Sequence, residues 1–419
     1  MQDLIKRRED CRLCHGRNLK LVLKLEKSAL ANDFVSNPLV VQQSFPLDLF
    51  RCESCGNYQI LDIIDPSIMF SNYNYASSTS KLMRQHFRNY VCALASEFDL
   101  SEEHLVCEIA SNDGVMLRWF KCLGIDAFGV DPASNLAQKA NDEGLETIND
   151  FFNTKTASAI LSTKGNVDLV VANNVFAHAD DLDEIVNGVK IILKKEGFFV
   201  FEVSYFMDVL ESGDFSQIYH EHLQYWLVGP MYSYFKKHGM TLYDVKPVDV
   251  HGGSIRCFVY NGISNDVCDS VSYYAAKESK NGCYTDESWS KVSKFVKKVN
   301  GIKENLRPKL LELKRQGMKI AGVTASAKST TLLHHCNIGS DILDCIYDDA
   351  PEKINKYSPG KHIPVLPFSR MYQDKPDYLV TLSFNFVDFI INKHKEYQGK
   401  WIIPINKSDE IIEYSGENK

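Results

Sequence analysis

The chain has no apolar run approaching the roughly 20 residues that a bilayer-spanning helix needs. Its opening, Met1-Gln2-Asp3-Leu4-Ile5-Lys6-Arg7-Arg8-Glu9-Asp10, has no signal-peptide apolar core. It also has no basic excess. A formal charge of -7 over 419 residues argues against a partner bound through many phosphates. No internal repeat stands out beyond a recurring strand-helix pattern. Glycines are missing from three positions of the one strand-to-helix turn where a pyrophosphate would need close backbone approach. These absences predict a cytoplasmic protein without nucleic-acid or membrane partners, a monomer or weak homo-oligomer. Cysteine, by contrast, is plentiful. Twelve thiols in so long a chain read as metal ligands and buried small residues in a reducing compartment, not as a disulfide framework. The length exceeds one ordinary core, and the chain divides by composition into 1–76, 77–285 and 286–419.

In the first segment, Cys11-Arg12-Leu13-Cys14 and Cys52-Glu53-Ser54-Cys55 are two paired-thiolate turns. Two such turns complete a closed tetrahedral zinc site, so Cys11, Cys14, Cys52 and Cys55 are predicted ligands of a structural ion. The intervening run Leu19–Leu23 is strand-like, and a small sheet would bring the turns together. His15 reads as a solvated turn residue. The segment ends in a polar, aromatic loop in which Tyr73 and Tyr75 can face a ligand. Ser77 to Ser80 then have the composition of a helix cap.

The middle segment opens with Val106-Cys107-Glu108-Ile109-Ala110-Ser111-Asn112-Asp113-Gly114, then Phe128-Gly129-Val130-Asp131-Pro132. Strand, small-residue turn, helix and strand ending in an acid is the start of a doubly wound α/β nucleotide site. Ala110, Asn112 and Asp113 stand where a dinucleotide fold carries glycines. Acids and amides there suit the ribose diol, amino acid and sulfonium of S-adenosylmethionine. Candidate cofactor residues are Glu108, Ala110, Asn112, Asp113, Asp131 and Pro132, with Asp150 and Phe151 flanking an adenine. Val167–His178 reads as an apolar strand that ends in Asn173, Asn174 and His178. Gly197–Val203 reads as the next strand, after a lysine-rich helix end.

Tyr219-His220-Glu221-His222 concentrates a phenol, two imidazoles and a carboxylate. Its histidines are two apart, not the four of a helical zinc motif. As an acid-base cluster it is well composed, since Glu221 or Tyr219 can orient and tune a histidine. His251-Gly252-Gly253-Ser254 is a flexible turn whose amides can face a ligand, followed by a strand containing Arg256. In the last segment, Trp289–Gln316 reads as an amphipathic helix interrupted or restarted near Pro308. After the strand 318–323, Ser326 and Lys328 open a helix whose amides can hold a pyrophosphate.

With these motifs assembled, the chain resembles the three-domain sugar C-methyltransferases acting on nucleotide-linked keto-deoxysugars. The likeness rests on the two Cys-x-x-Cys turns, the Tyr-x-Tyr loop, Glu-x-x-Ser-Asn-Asp-Gly, Asn-Val-x-Ala-His and Tyr-His-Glu-His. It extends to His-Gly-Gly-Ser-x-Arg and Lys-Tyr-x-Pro-Gly-x-x-Ile-Pro near the end. The resemblance implies an α/β chain with a zinc-bearing N-terminal domain, a central Rossmann-like S-adenosylmethionine domain and a second Rossmann-like domain. It implies His222 as general base, with Tyr219, Glu221, His178 and Tyr75 lining the sugar pocket. Tyr73, His220, His251, Gly252, Gly253, Ser254, Arg256, Ser326 and Lys328 are then the substrate-side candidates. Two positions depart from the family pattern: Ala110 replaces a glycine, and Ser383-Phe384-Asn385-Phe386 stands where Trp-Asn-Phe is usual. Rival readings are O- or N-methylation on the same scaffold, a nicotinamide oxidoreductase, and a zinc-anchored scaffold.

Overall fold

A computed structural model describes residues 4–415, apart from 72, 74, 75, 251 and 409. Tyr75 and His251, both expected in the site, therefore lie outside the described residues.

The central sheet is built from Leu105–Ile109, Asp126–Val130, Thr147–Ile148, Val167–Asn173, Leu193–Ser204, Thr241–Val248 and Ser254–Tyr260. Numbered by sequence, these strands lie side by side in the order 3-2-1-4-5-7-6. The first five are parallel, while Ser254–Tyr260 runs antiparallel to both neighbours. Burial on both faces explains the apolar run Leu169–Ala172 within the strand Val167–Asn173. Leu169 and Val171 pack with Val106, Phe87 and Val91 on the side of helix Lys81–Glu97. Val170 and Ala172 pack with Ala157, Ile160 and Val186 of helices Thr154–Lys164 and Leu182–Ile192 on the other. Local chemistry sets the helix starts: Ser80, Asn153 and Asp181 each cap a helix with a side-chain oxygen. Asp181, not Asp180, is the cap.

The fifth strand begins at Leu193, so Lys194 and Lys195 belong to the strand and not to a helix end. A register shift between Leu193 and Phe198 accommodates them at the exposed end of the sheet. Helix Lys291–Arg315 is continuous through Pro308, contrary to the expected interruption. Pro308 is on the solvent face, so the backbone bond it forgoes faces water, while Leu306 and Leu310 hold the helix from the buried side. The C-terminal sheet has six strands. Ile320–Val323 is central, flanked by Ile346–Asp348 and Val365–Pro367 on one side and Tyr378–Thr381, Lys400–Ile403 and Ile412–Ser415 on the other. All pairings are parallel except the last. This is a second Rossmann-like lobe.

The N-terminal sheet pairs Leu19–Leu23, Leu49–Cys52 and Tyr58–Ile60, and its fourth strand is Gln224–Tyr225 from the middle of the chain. The segment directly after His222 is thus an edge strand of the cysteine-bearing sheet.

At the end of the first central strand, Ala110 takes φ 55°, in the left-handed region, and its N–H donates to the Val130 carbonyl at 2.7 Å. A side chain in that conformation costs about 1–2 kcal/mol, against about 0.5–1 kcal/mol for the extra chain freedom of glycine. Ala110→Gly is therefore expected to raise the urea-unfolding free energy by about 0.5–1 kcal/mol, and Ala110→Val to lower it. A destabilised glycine variant would contradict this account of the turn.

Candidate active site and metal centre

Four thiolates converge in the N-terminal module. Cys11 and Cys55 sulfurs lie 3.6 Å apart, Cys14 and Cys52 sulfurs 3.5 Å apart, and all four fall within 4.8 Å of one another. A tetrahedral zinc ion with bonds near 2.3 Å separates its sulfurs by about 3.8 Å, so the set fits. Backbone N–H groups of Leu13 and Gly16 and the Asn57 amide point at these sulfurs, as expected of donors that steady thiolate charge. His15 is not among the ligands. It sits between Asp10 and Asp183.

At the carboxyl ends of the central strands, Glu108, Asp113 and Asp131 form an acidic cluster. Burial pushes the Glu108 carboxyl well above its usual range, and the neighbouring carboxylates push in the same direction. Three buried oxygens here have no partner: Glu108 Oε2, Ser111 Oγ and Asn173 Oδ1. Orphaned acceptors among carboxylates fit a ligand that brings donors and positive charge, and they oppose a pyrophosphate. The backbone is tightly approached, since a Cβ on Gly129 would collide with Ser111. Not every expected cofactor residue is free. Asp131 accepts from the amides of Asn112 (2.7 Å) and Ala133 (2.8 Å). Asp113 accepts from Ser78 and pairs with Lys139 at 2.8 Å, while Asn112 accepts from the Ser77 amide at 2.9 Å. The capping loop 77–80 is thereby docked on the cofactor turn. Pro132 continues that turn. Asp150 and Phe151 are exposed, and Asn174 takes φ 53° as its N–H meets the Glu202 carbonyl.

The Tyr-His-Glu-His segment distributes its side chains in different directions. His222 Nδ1 donates to the Gln217 carbonyl at 3.0 Å, which leaves Nε2 as the basic nitrogen, 2.8 Å from Tyr219 Oη. His178 has its ring centroid 5.1 Å from that of His222 and stacks on Phe70. Glu221 faces elsewhere: its oxygens accept from Tyr73 Oη at 2.9 Å and from the Asn32 amide at 2.6 Å. Burial raises its carboxyl, partly offset by those two donors. Tyr219, not Glu221, is thus the hydrogen-bond partner of His222. His220 is turned into the core with Nε2 donating to the Pro46 carbonyl, and burial lowers its ring to about 4. His178 and His222 line one cavity with Asn174, Ser204, Gln217 and Gln224.

The remaining substrate-side candidates lie around this centre in varied settings. Arg256 is engaged by the buried Glu202 (2.9 and 2.7 Å), which also meets His86, and its guanidinium covers Tyr90. Gly252 and Gly253 both need positive φ. A Cβ on Gly252 would sit 2.6 Å from Asn385 Oδ1, and one on Gly253 would strike Asp208, whose carboxyl burial raises to about 6. The Ser254 hydroxyl donates to the Val250 carbonyl. Ser326 caps helix Ala327–His335 and meets Ser383. Burial lowers the Lys328 amine, opposed by Asp214.

Several residues had no sequence signal. Asn32 is an amide in an irregular loop. Gln217 acts on His222 through its carbonyl, which side-chain chemistry cannot announce. Asp208 and Asn385 are brought to the Gly-Gly turn only by the fold.

Fold and site together define a Rossmann-fold S-adenosylmethionine-dependent methyltransferase with an N-terminal zinc module. Profiles for a zinc binding domain, a methyltransferase domain and a C-methyltransferase C-terminal domain match residues 11–70, 83–245 and 249–406. Over 412 residues the chain is 31% identical to the C-methyltransferase NovU of Streptomyces niveus, covering 97% of each protein. The chain belongs to this C-methyltransferase family, with S-adenosylmethionine and zinc as its cofactors. Among solved structures, a S-adenosylmethionine-dependent methyltransferase from Clostridium acetobutylicum aligns with TM-score 0.35 and 16% identity, over 43% of this chain and 92% of that one. The Synechocystis magnesium protoporphyrin IX methyltransferase aligns with TM-score 0.32 and 10% identity, over 42% and 78%. Among the described residues no helix is long and apolar enough to cross a membrane.

Two outcomes follow from these geometries. Cys52→Ser, or treatment with a strong chelator, is expected to remove zinc and unfold the N-terminal sheet, seen as a loss of metal content and a lower thermal midpoint. An unchanged midpoint in the metal-free chain would deny the ion its structural role. Burial lowers His178 from 6.5 to about 4. The unfolded chain therefore takes up a proton that the folded chain refuses, and this ring's contribution is present above pH 6.5 and lost as pH falls toward 4. In His178→Gln the difference in unfolding free energy between pH 7 and pH 5 should shrink; an equal difference would show that the ring is not desolvated.

Proposed function

We propose that the chain methylates a carbon of a nucleotide-linked keto-deoxysugar, with His222 removing the proton beside the ketone. The observation that carries this reading is the His222–Tyr219 pair: one ring nitrogen tied to the Gln217 carbonyl, the other facing a phenol at 2.8 Å. An enolising ketone presents its acidic carbon and its oxygen about 2.4 Å apart, by ordinary bond lengths. A base nitrogen and a hydroxyl donor at 2.8 Å match that separation. When the ketone enters, Nε2 takes the C–H proton while the Tyr219 hydroxyl turns to the oxygen, where charge develops. The C–H electron pair becomes the enolate, whose carbon would bond the methyl carbon as that carbon's bond to the sulfonium sulfur breaks, the electron pair leaving with the sulfur as a neutral thioether. S-adenosylmethionine supplies the electrophilic methyl group when bound. Glu108, Asn173, Asn112 and Asp131 are the residues proposed to hold it, with Phe151 exposed for an adenine.

Neighbouring groups support the chemistry. His178 is kept neutral by burial, so the proton gained by His222 meets no adjacent like charge. Glu221 holds Tyr73, one of the two tyrosines that the family likeness assigns to the sugar pocket. Ser326, Lys328 and the amides opening helix Ala327–His335 are candidates for the diphosphate, and the Gly252-Gly253 turn beside Asn385 for the nucleoside.

Mass spectrometry of reactions with dTDP-, GDP- and CDP-linked keto-deoxysugars and S-adenosylmethionine should find one substrate gaining a carbon-bound methyl. With that substrate, His222→Gln should lower kcat by about 10²–10⁴-fold and abolish solvent-deuterium exchange at the acidic carbon, leaving cofactor affinity in place. Methylation on oxygen or nitrogen, or exchange that survives in the variant, would overturn the proposal.

A further inference from the structure

Arg12 stands between two zinc ligands, and its side chain is fully buried. Its guanidinium reaches out of the metal-binding turn toward both segments that carry the paired histidines. Nη1 donates to the Ile60 carbonyl (2.6 Å) and the Leu223 carbonyl (3.2 Å), Leu223 being the residue after His222. Nη2 lies 3.2 Å from Oδ1 of Asp180, two residues beyond His178. Arg8, from the same module, donates to both the carboxylate and the carbonyl of Asp180 at 2.9 Å. The two segments are themselves joined where the amides of Leu223 and Gln224 both donate to the Ala177 carbonyl, at 2.9 and 3.2 Å. A cation that could have been replaced by an apolar side chain is instead buried here, hydrogen-bonded to the backbone of the His222 segment at Leu223 and ion-paired with the Asp180 carboxylate of the His178 segment.

We propose that Arg12 is a positioning residue: it transmits the rigidity of the zinc-bound Cys11–Cys14 turn to segments 177–181 and 219–225, holding His222 in its single tautomer against the Gln217 carbonyl. The metal centre then organises the acid-base pair as well as stabilising its own module. The link to turnover rests on the function proposed above, but the link to His222 does not. The bonds of a buried guanidinium are directional and charge-assisted, so an isosteric apolar side chain keeps the packing and loses the grip.

The test uses the full-length, zinc-loaded chain with nitrogen-15-labelled histidine, the His222 and His178 ring signals being assigned with His222→Gln and His178→Gln. In the unmodified chain His222 should give the pattern of one Nδ1–H tautomer. In Arg12→Met, with one zinc per chain retained and S-adenosylmethionine bound as before, that pattern should collapse toward averaged tautomers. On the substrate found by mass spectrometry, kcat should fall about 10²-fold with KM little changed, and Arg12→Lys should recover part of it. Should Arg12→Met fail to fold, Asp180→Ala removes the Arg12 and Arg8 contacts toward the His178 segment and should broaden or shift His178 while leaving zinc in place, whereas Arg8→Met, which spares Arg12, should alter it less. Unaltered His222 and His178 signals in a folded variant would overturn the proposal, whatever the activity. Altered signals with no substrate turned over by any chain would sink the enzymatic reading alone.

Discussion

Much of the structure depends on one short backbone pairing, Gln224–Tyr225 against Tyr58–Gln59. Through it the loop bearing His222 becomes part of the sheet that the four cysteines hold together. Two residues of antiparallel ladder would be weak alone, but both ends are fixed. Upstream, Ile60 N–H and Arg12 close on the Leu223 carbonyl. Downstream, Trp226 is buried in the central core, stacked on Phe176 at 5.0 Å with an interplanar angle of 8°. The Asn57–Gln224 amide pair adds a direct bond from the cysteine turn to the same strand. A loop bound this way pays its ordering entropy on folding, not on substrate arrival.

The cofactor end obeys a different constraint, the crowding of like charge. Glu108, Asp113 and Asp131 share one corner of the sheet, and each is handled separately. Asp113 is neutralised by Lys139, Asp131 is held by two amides, and Glu108 keeps an oxygen without a partner. The same bonds dock the Ser77–Ser78 amides and the Lys139 helix, so the turn after the first central strand also fastens its surroundings. Ala110 is left with a strained backbone there. Strain in that position is consistent with a turn shaped by what it binds.

The C-terminal lobe joins the arrangement through helix Ala327–His335, which donates from Thr331 to the Ile218 carbonyl and from Thr330 to the Ala31 carbonyl. It thus touches the segment that carries His222 and, beside Asn32, the partner of Glu221. The Lys-Tyr-x-Pro-Gly motif, read in sequence as turn chemistry, is a seam: Tyr357 bridges Val35 and the Gly360 amide donates to Gln42. All three parts of the chain therefore contribute contacts around His222.

The apolar strand runs, the serine-rich cap ending at Ser80, the paired cysteines and the acid-ended strands were legible because each is a local rule, satisfied within a few residues of the chain. The composition of Tyr219–His222 could likewise be read as acid-base chemistry. Which nitrogen of His222 faces Tyr219 could not, because that was decided by a carbonyl at Gln217. Nor could the direction of Glu221, set by an amide from residue 32, or the continuity of a helix through Pro308, permitted by the face it exposes. Nothing beside Arg12 in the chain announced its reach to Leu223 and Asp180. The sequence by itself determined which chemical groups the chain possesses and which elements carry them. Only the tertiary structure decided which groups meet, because hydrogen-bond partners distant along the chain are chosen by packing and burial and by nothing written beside them.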